Sequence, residues 1–192
     1  MADERPTPDP QAITPETKDW TWVLERPCEE CGVASGDLEV PALAGLLHDS
    51  ALEFGEALRA PDATQRPAPT TWSALEYACH VRDVHRTMAA RLDLMLEQDD
   101  PVFDNWDQDE TAVAERYWEQ DPAVVDVELV EAAGHAAGLW ASVTPEAYDR
   151  PGRRSNGSLF TVRTLGQYHL HDVLHHLHDV GRPVPRAQGD GR

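Results

Sequence analysis

Residues 161–180 read TVRTLGQYHLHDVLHHLHDV, and five of the chain's nine histidines, His169, His171, His175, His176 and His178, fall within ten consecutive positions of it. A helix turns about 100° per residue, so His171 and His175 stand one turn apart on one side, with His178 less than a quarter turn away. Two imidazoles so placed can reach one ion. Two nitrogens do not hold a metal alone, and the candidate third ligand is His80, in the stretch 71–87, TWSALEYACHVRDVHRT.

The apolar stripe of the 161–180 helix, Val162, Gly166, Leu170, Val173, Leu177 and Val180, lies well round from His171 and His175. Such a helix buries its histidines only if it is covered on two sides, with the imidazoles opening on a pocket between elements. Working outward, three further helices are expected. One runs from about Leu38 to Leu58, with Pro41 in its first turn. The next starts at a cap on Thr70 or Thr71, with Glu76 in its early turns, and continues to Glu97. Tyr77, Val81, Val84, Met88, Leu92 and Met95 form its apolar stripe, and His80 sits on the border. The third opens at Asp121-Pro122 and stops near Val143. The acidic segment 98–110 reads as a solvated loop, 111–119 as a short helical piece, and 144–158 as a turn-rich connection whose Ser-Asn-Gly-Ser, 155–158, is a tight turn between two short extended pieces or a simple loop. With no convincing alternating strand, the fold class is all-α: a four-helix bundle over 38–182 with one long crossover connection. A Pro-rich tail, 1–18, is expected to be disordered, and 183–192 to be a flexible end. A Trp-rich extension, 19–37, is expected to pack on the domain.

The formal charge of −19 over 192 residues disfavours nucleic acid and anionic membrane surfaces as partners. No apolar run spans a bilayer, no signal peptide is visible, and the three cysteines, Cys28, Cys31 and Cys79, are an odd number suited to a reducing compartment, so a cytoplasmic location is expected. Small molecules are the expected partners, with a homodimer as a further candidate.

Three neutral imidazoles from His80, His171 and His175 suit a divalent transition metal, zinc or nickel first and iron next, with positions left open for water or substrate. Glu76, Asp83, Asp172 and Asp179 are candidate outer carboxylates that fix imidazole tautomers, and Gln167 and Tyr168 candidate substrate-orienting groups. His178 shares the face of His171 and stands as a replacement or supplementary ligand. Cys28-x-x-Cys31 is half of a metal motif: a redox dithiol, part of a second metal site, or two ordinary turn cysteines.

The stretch TWSALEYACHVRDV, followed about ninety residues later by HLHDVLHHLHDV, resembles the DinB family of metal-dependent four-helix proteins, which includes thiol S-transferases and the N-terminal domain of mycothiol-dependent maleylpyruvate isomerase. The resemblance falls on Trp72, His80, His171 and His175 and implies a bundle holding a divalent metal through those three histidines. It also implies a transferase that uses a metal-bound low-molecular-weight thiol, of the mycothiol or bacillithiol type, as nucleophile. The alternative is a non-catalytic metal-binding or stress-response bundle. The Cys-x-x-Cys extension and the extra histidines, His169, His176 and His178, depart from the family pattern.

Overall fold

The computed structural model describes residues 18–185 together with Asp9 and Ile13; the expected tails, 1–18 and 183–192, lie for the most part outside the described residues. Four long helices, α1 (Val40–Leu58), α2 (Ala74–Glu97), α4 (Pro122–Ser142) and α5 (Val162–Asp179), form the bundle, with a short α3 (Gln108–Ala114) between α2 and α4. Their starts follow from local chemistry. Ser73 accepts from the Glu76 amide while the Glu76 carboxylate accepts from the Ser73 amide at 2.9 Å, so the cap of α2 falls two residues beyond Thr71. Asp121 caps α4 by accepting from the Ala123 amide, with Pro122 at the first helical position, and Thr161 caps α5.

Helix α1 packs along α4 and α5, and so does α2, whereas α4 and α5 barely touch. The diagonals of the bundle are therefore α1 with α2 and α4 with α5. Leu43, Leu47 and Phe54 of α1, Leu75, Leu92 and Met95 of α2, Leu129 and Trp140 of α4, and Leu165, Leu170 and Leu174 of α5 fill the centre. Each such side chain stabilises by about 1.5–3 kcal/mol, an upper figure because unfolded chains already bury some of this surface.

A small sheet closes one end. Strand β2 (Pro151–Arg154) pairs antiparallel with β3 (Leu159–Thr161) and parallel with β1 (Val102–Phe103). The acidic 98–110 segment is thus more than a solvated loop: it contributes a strand, Asp100 pairs with Arg153, and Asp107 caps α3 by accepting from the amides of Asp109 and Glu110. No helix among the described residues is long and apolar enough to cross a membrane.

The N-terminal segment runs along α5 through two 3-10 turns, Trp20–Leu24 and Ser35–Asp37. Gln167 anchors it by donating to the carbonyls of Gly36 at 2.8 Å and Leu38 at 3.0 Å. Gly36 is required there, since a Cβ would lie 2.2 Å from the carbonyl oxygen of Leu24. Helix α5 is therefore covered twice, by the bundle and by this segment, and His169, His171 and His175 are all buried.

Candidate metal centre

The segment HDVLHH in α5 carries two interleaved pairs at i, i+4: His171 with His175, and Asp172 with His176. A rotation of about 100° separates the pairs, so they face different neighbours. Asp172 and His176 turn toward α2 and meet His80. His171 and His175 turn toward the N-terminal segment and meet Cys28 and Cys31. In each group the donor atoms lie within 4.8 Å of one another. The expected triad of His80, His171 and His175 is divided between the two groups: the structure brings His171 and His175 together, with ring centroids 5.3 Å apart, but gives His80 to the other pair. The groups adjoin through His176, whose ring lies 4.7 Å from that of His80 and 5.5 Å from that of His175.

In the first group, Nε2 of His80 lies 3.2 Å and Nε2 of His176 3.4 Å from the same oxygen, Oδ1 of Asp172. Burial alone would raise the Asp172 carboxyl, but hydrogen bonds from His176 and His80 hold it well below the usual carboxylate range. Burial likewise pushes His80 down, leaving it neutral near pH 7. His176 is the exception. Burial opposes its charge, yet the carboxylates of Asp172 and Asp179 push it up to about 9, with Nδ1 only 2.7 Å from Asp179. A cation is therefore already favoured between these carboxylates. Nδ1 of His80 is buried without a hydrogen-bond partner. Two imidazoles and one carboxylate, with His176 tied at its far nitrogen to Asp179, fit a divalent transition ion and leave positions open on it. Trp106 lies parallel to the His80 ring with centroids 5.5 Å apart, and Trp72 lies 5.4 Å from it, so indoles flank the imidazole on two sides.

In the second group, Cys28, His171 and His175 are buried, and Cys31 partly so. All three cysteines are unpaired. Burial lowers His171 to about 4 and also lowers His175, so both present neutral nitrogens.

Both groups border a cleft of about 280 Å³ whose walls include Trp20, Trp72, Tyr77, Tyr168 and Glu30. A neighbouring cavity of about 340 Å³ shares Tyr168, Trp20 and Asp172 with it and adds Arg91 and Arg154. Arg91 is buried and donates to the Asp104 carbonyl at 3.0 Å and to the sulfur of Met88.

The other expected residues fall as follows. Glu76 is an internal strut rather than an outer carboxylate: with Ser73 it caps α2, and it takes a bidentate grip from Arg66. Asp83 binds Arg82, Arg86 and the Tyr117 hydroxyl. Gln167 is spent on the N-terminal segment, Tyr168 lines both cavities, and His178 is exposed and joins neither group. Asp172 and His176 escape assignment as ligands when imidazoles alone are counted; the Asp-x-x-x-His spacing is the available signal.

Among curated proteins, none matches the chain. A solved structure described as "YfiT from Bacillus subtilis is a probable metal-dependent hydrolase with an unusual four-helix bundle topology" is similar in fold, with a TM-score of 0.63 at 19% identity over 71% of this chain and 81% of that one. The family model for the DinB superfamily matches residues 46–180, and the chain belongs to that superfamily.

Proposed function

We propose that this chain is a metal-dependent enzyme of the DinB superfamily that joins a small nucleophile to an electrophile in the cleft between α2, α5 and the N-terminal segment. The observation that carries the reading is the convergence of His80, Asp172 and His176 on one point beside an aromatic-walled cleft. These three residues would hold a divalent transition ion. When bound, such an ion lowers the pKa of a coordinated thiol or water and polarises the electrophile's oxygen.

The chain's own residues supply the rest. Trp106 and Trp72 flank the His80 ring, and Asp179 accepts from Nδ1 of His176, so that Nε2 is the nitrogen that would give up its proton to face the ion. Trp20, Trp72 and Tyr77 give the otherwise polar cleft aromatic faces against which the substrate's body would pack. Arg91 and Arg154, in the adjoining cavity, hold an anionic end of the substrate or of its thiol partner. A low-molecular-weight thiol is the nucleophile that the resemblance of TWSALEYACHVRDV and HLHDVLHHLHDV favours. The likeness to YfiT, described as a probable metal-dependent hydrolase, favours water, and hence hydrolysis, as a second reading.

The test is protein purified without chelating resin, assayed for metal and for loss of mycothiol, bacillithiol or a simple thiol in the presence of an electrophile, beside ester and amide hydrolysis. Metal-dependent thiol transfer that vanishes in Asp172→Asn is expected. Metal-loaded protein without either activity, or full metal content in a His80→Ala, Asp172→Asn, His176→Ala variant, would overturn it.

A further inference from the structure

Cys28 and Cys31 take no part in that reaction, yet both sulfurs are held against imidazoles. Sγ of Cys28 lies 3.7 Å from Nδ1 of His175, and Sγ of Cys31 lies 3.8 Å from Nε2 of His171. Around a tetrahedral zinc ion with ordinary bond lengths, the sulfur-to-nitrogen edge is about 3.5–3.6 Å. A neutral thiol is a weak donor and acceptor, so hydrogen bonding alone gives little reason for two such contacts in one place.

We propose that Cys28, Cys31, His171 and His175 form a second metal site, closed and zinc-binding, that fastens the N-terminal segment to α5. Two soft thiolates and two imidazoles, with two sulfur-to-nitrogen distances near the tetrahedral edge and all four donors within 4.8 Å of one another, suit zinc, and four protein donors leave no position for substrate, in contrast to the three-donor group beside it. On binding, each thiol loses its proton to solvent and each sulfur gains a bond to the ion; nothing is oxidised.

The surroundings are built for this. The turn between the cysteines is closed by the Gly32 amide donating to the Cys28 carbonyl at 2.8 Å and the Cys28 amide donating to the Val33 carbonyl at 2.9 Å. Gly32 sits at φ +75°, in the left-handed region that glycine enters without cost. The free ring nitrogen of His175, Nε2, faces carboxylate oxygens of Glu30 at 3.6 Å and Asp179 at 3.8 Å, the kind of outer partner that fixes a ligating imidazole. Trp20 covers both rings, with centroids 5.8 Å from His171 and 5.0 Å from His175.

The consequence is a positioning role. His171 and His175 alternate with Asp172 and His176 along one turn, so fixing the first pair to the Cys-x-x-Cys turn fixes the rotation of α5 and hence the direction of the second pair. The same fastening holds Trp20 and Glu30 in the cleft wall.

The full chain, purified without chelating resin, should carry two ions, and Cys28→Ser with Cys31→Ser should lose one while keeping the ion of the His80 group. Reconstitution with cobalt(II) should give thiolate charge-transfer bands in the near ultraviolet and intense tetrahedral bands in the red, both absent from the double serine variant. Should that variant fail to fold, titrating the wild-type thiols with an organomercurial should release one zinc per chain to a metallochromic dye. Asp172→Asn should leave the cobalt–thiolate bands intact, which separates failure of this site from failure of the first. A Cys28–Cys31 disulfide in protein isolated without reductant, or thiol modification that releases no zinc from metal-loaded chain, would overturn the proposal.

Discussion

Nε2 of His80 on α2 lies 3.2 Å from Oδ1 of Asp172 on α5, and the residue before Asp172 is His171, which faces about 100° round the helix toward Trp20. That one-residue offset lets α5 contribute to two donor groups in a single turn. It also makes the two donor groups separable by substitution. Asp172→Asn keeps the side chain's shape and removes its charge, so the fold should persist. Metal affinity at the His80 group should fall by more than the roughly 10–100-fold that losing an outer partner costs, since here a ligand itself is lost. Equilibrium dialysis against a chelator series measures this. Unchanged affinity in Asp172→Asn would exclude the carboxylate as a ligand.

Glu76 tests the boundary between site and scaffold. Its carboxylate is buried, paired with Arg66 at 2.5–3.1 Å, and it accepts from the amide and hydroxyl of Ser73. Removing one partner of a buried pair leaves the other charge uncompensated, which costs about 3–5 kcal/mol. Glu76→Ala is therefore expected to lower the urea midpoint sharply while leaving metal stoichiometry unchanged at temperatures where it remains folded. A normal midpoint with reduced metal content would return Glu76 to the metal centre.

A chain of fixed tautomers sets the acid limit of the fold. The indole of Trp140 can only donate, and it reaches Nδ1 of His169 at 3.1 Å, so His169 carries its proton on Nε2 and donates it to Nδ1 of His85 at 3.0 Å. Both rings are then neutral, and burial pushes His169 down to about 4 and His85 well below its ordinary value. A depressed folded value means that stability is fully present above the unfolded value, near 6.5, and is lost as pH falls toward about 4, where the unfolded chain binds protons that the folded one excludes. For His169 alone the loss is about 3 kcal/mol. Thermal melts at pH 7 and pH 5 should show this acid destabilisation in wild type and a smaller one in His169→Gln. An equal pH dependence in the two proteins would refute the assignment.

The bundle was legible because its signals are local and repeated: Asp121-Pro122 at the start of α4, the leucines of α1 and the stripe of α2 each point to one element. The sheet was legible only in part: a tight turn at 155–158 between two short extended pieces was one of two readings of that connection, whereas Val102–Phe103 is two residues long, carries no alternation and exists by pairing with distant chain. The histidine-rich helix was half legible. Clustering marked α5, but which pair faces α2 depends on the rotation of the helix, and one residue of rotation exchanges His171 for Asp172. That rotation is set partly by residues 18–38, whose packing against α5 no periodicity announces. The stacking of Trp106 on His80 was equally hidden, a contact between residues that only the folded chain brings together.

Gly166 on α5 sets two effects of opposite sign against each other. Replacing a helical glycine with alanine ordinarily stabilises by about 1 kcal/mol. Here the added Cβ would meet Cδ1 of Leu43 at 2.4 Å and the ring of Trp140 at 3.0 Å, where α1, α4 and α5 converge. Leu43 is fully buried and has little room to move, and Trp140 is held through its bond to His169. Overpacking in such a core costs about 1–3 kcal/mol, which exceeds the gain in helix propensity. Gly166→Ala should therefore lower the melting temperature, and Gly166→Ala combined with Leu43→Ala should recover part of the difference expected from the two single changes. A melting temperature above that of wild type would show that α5 can draw back from α1 and α4 without strain.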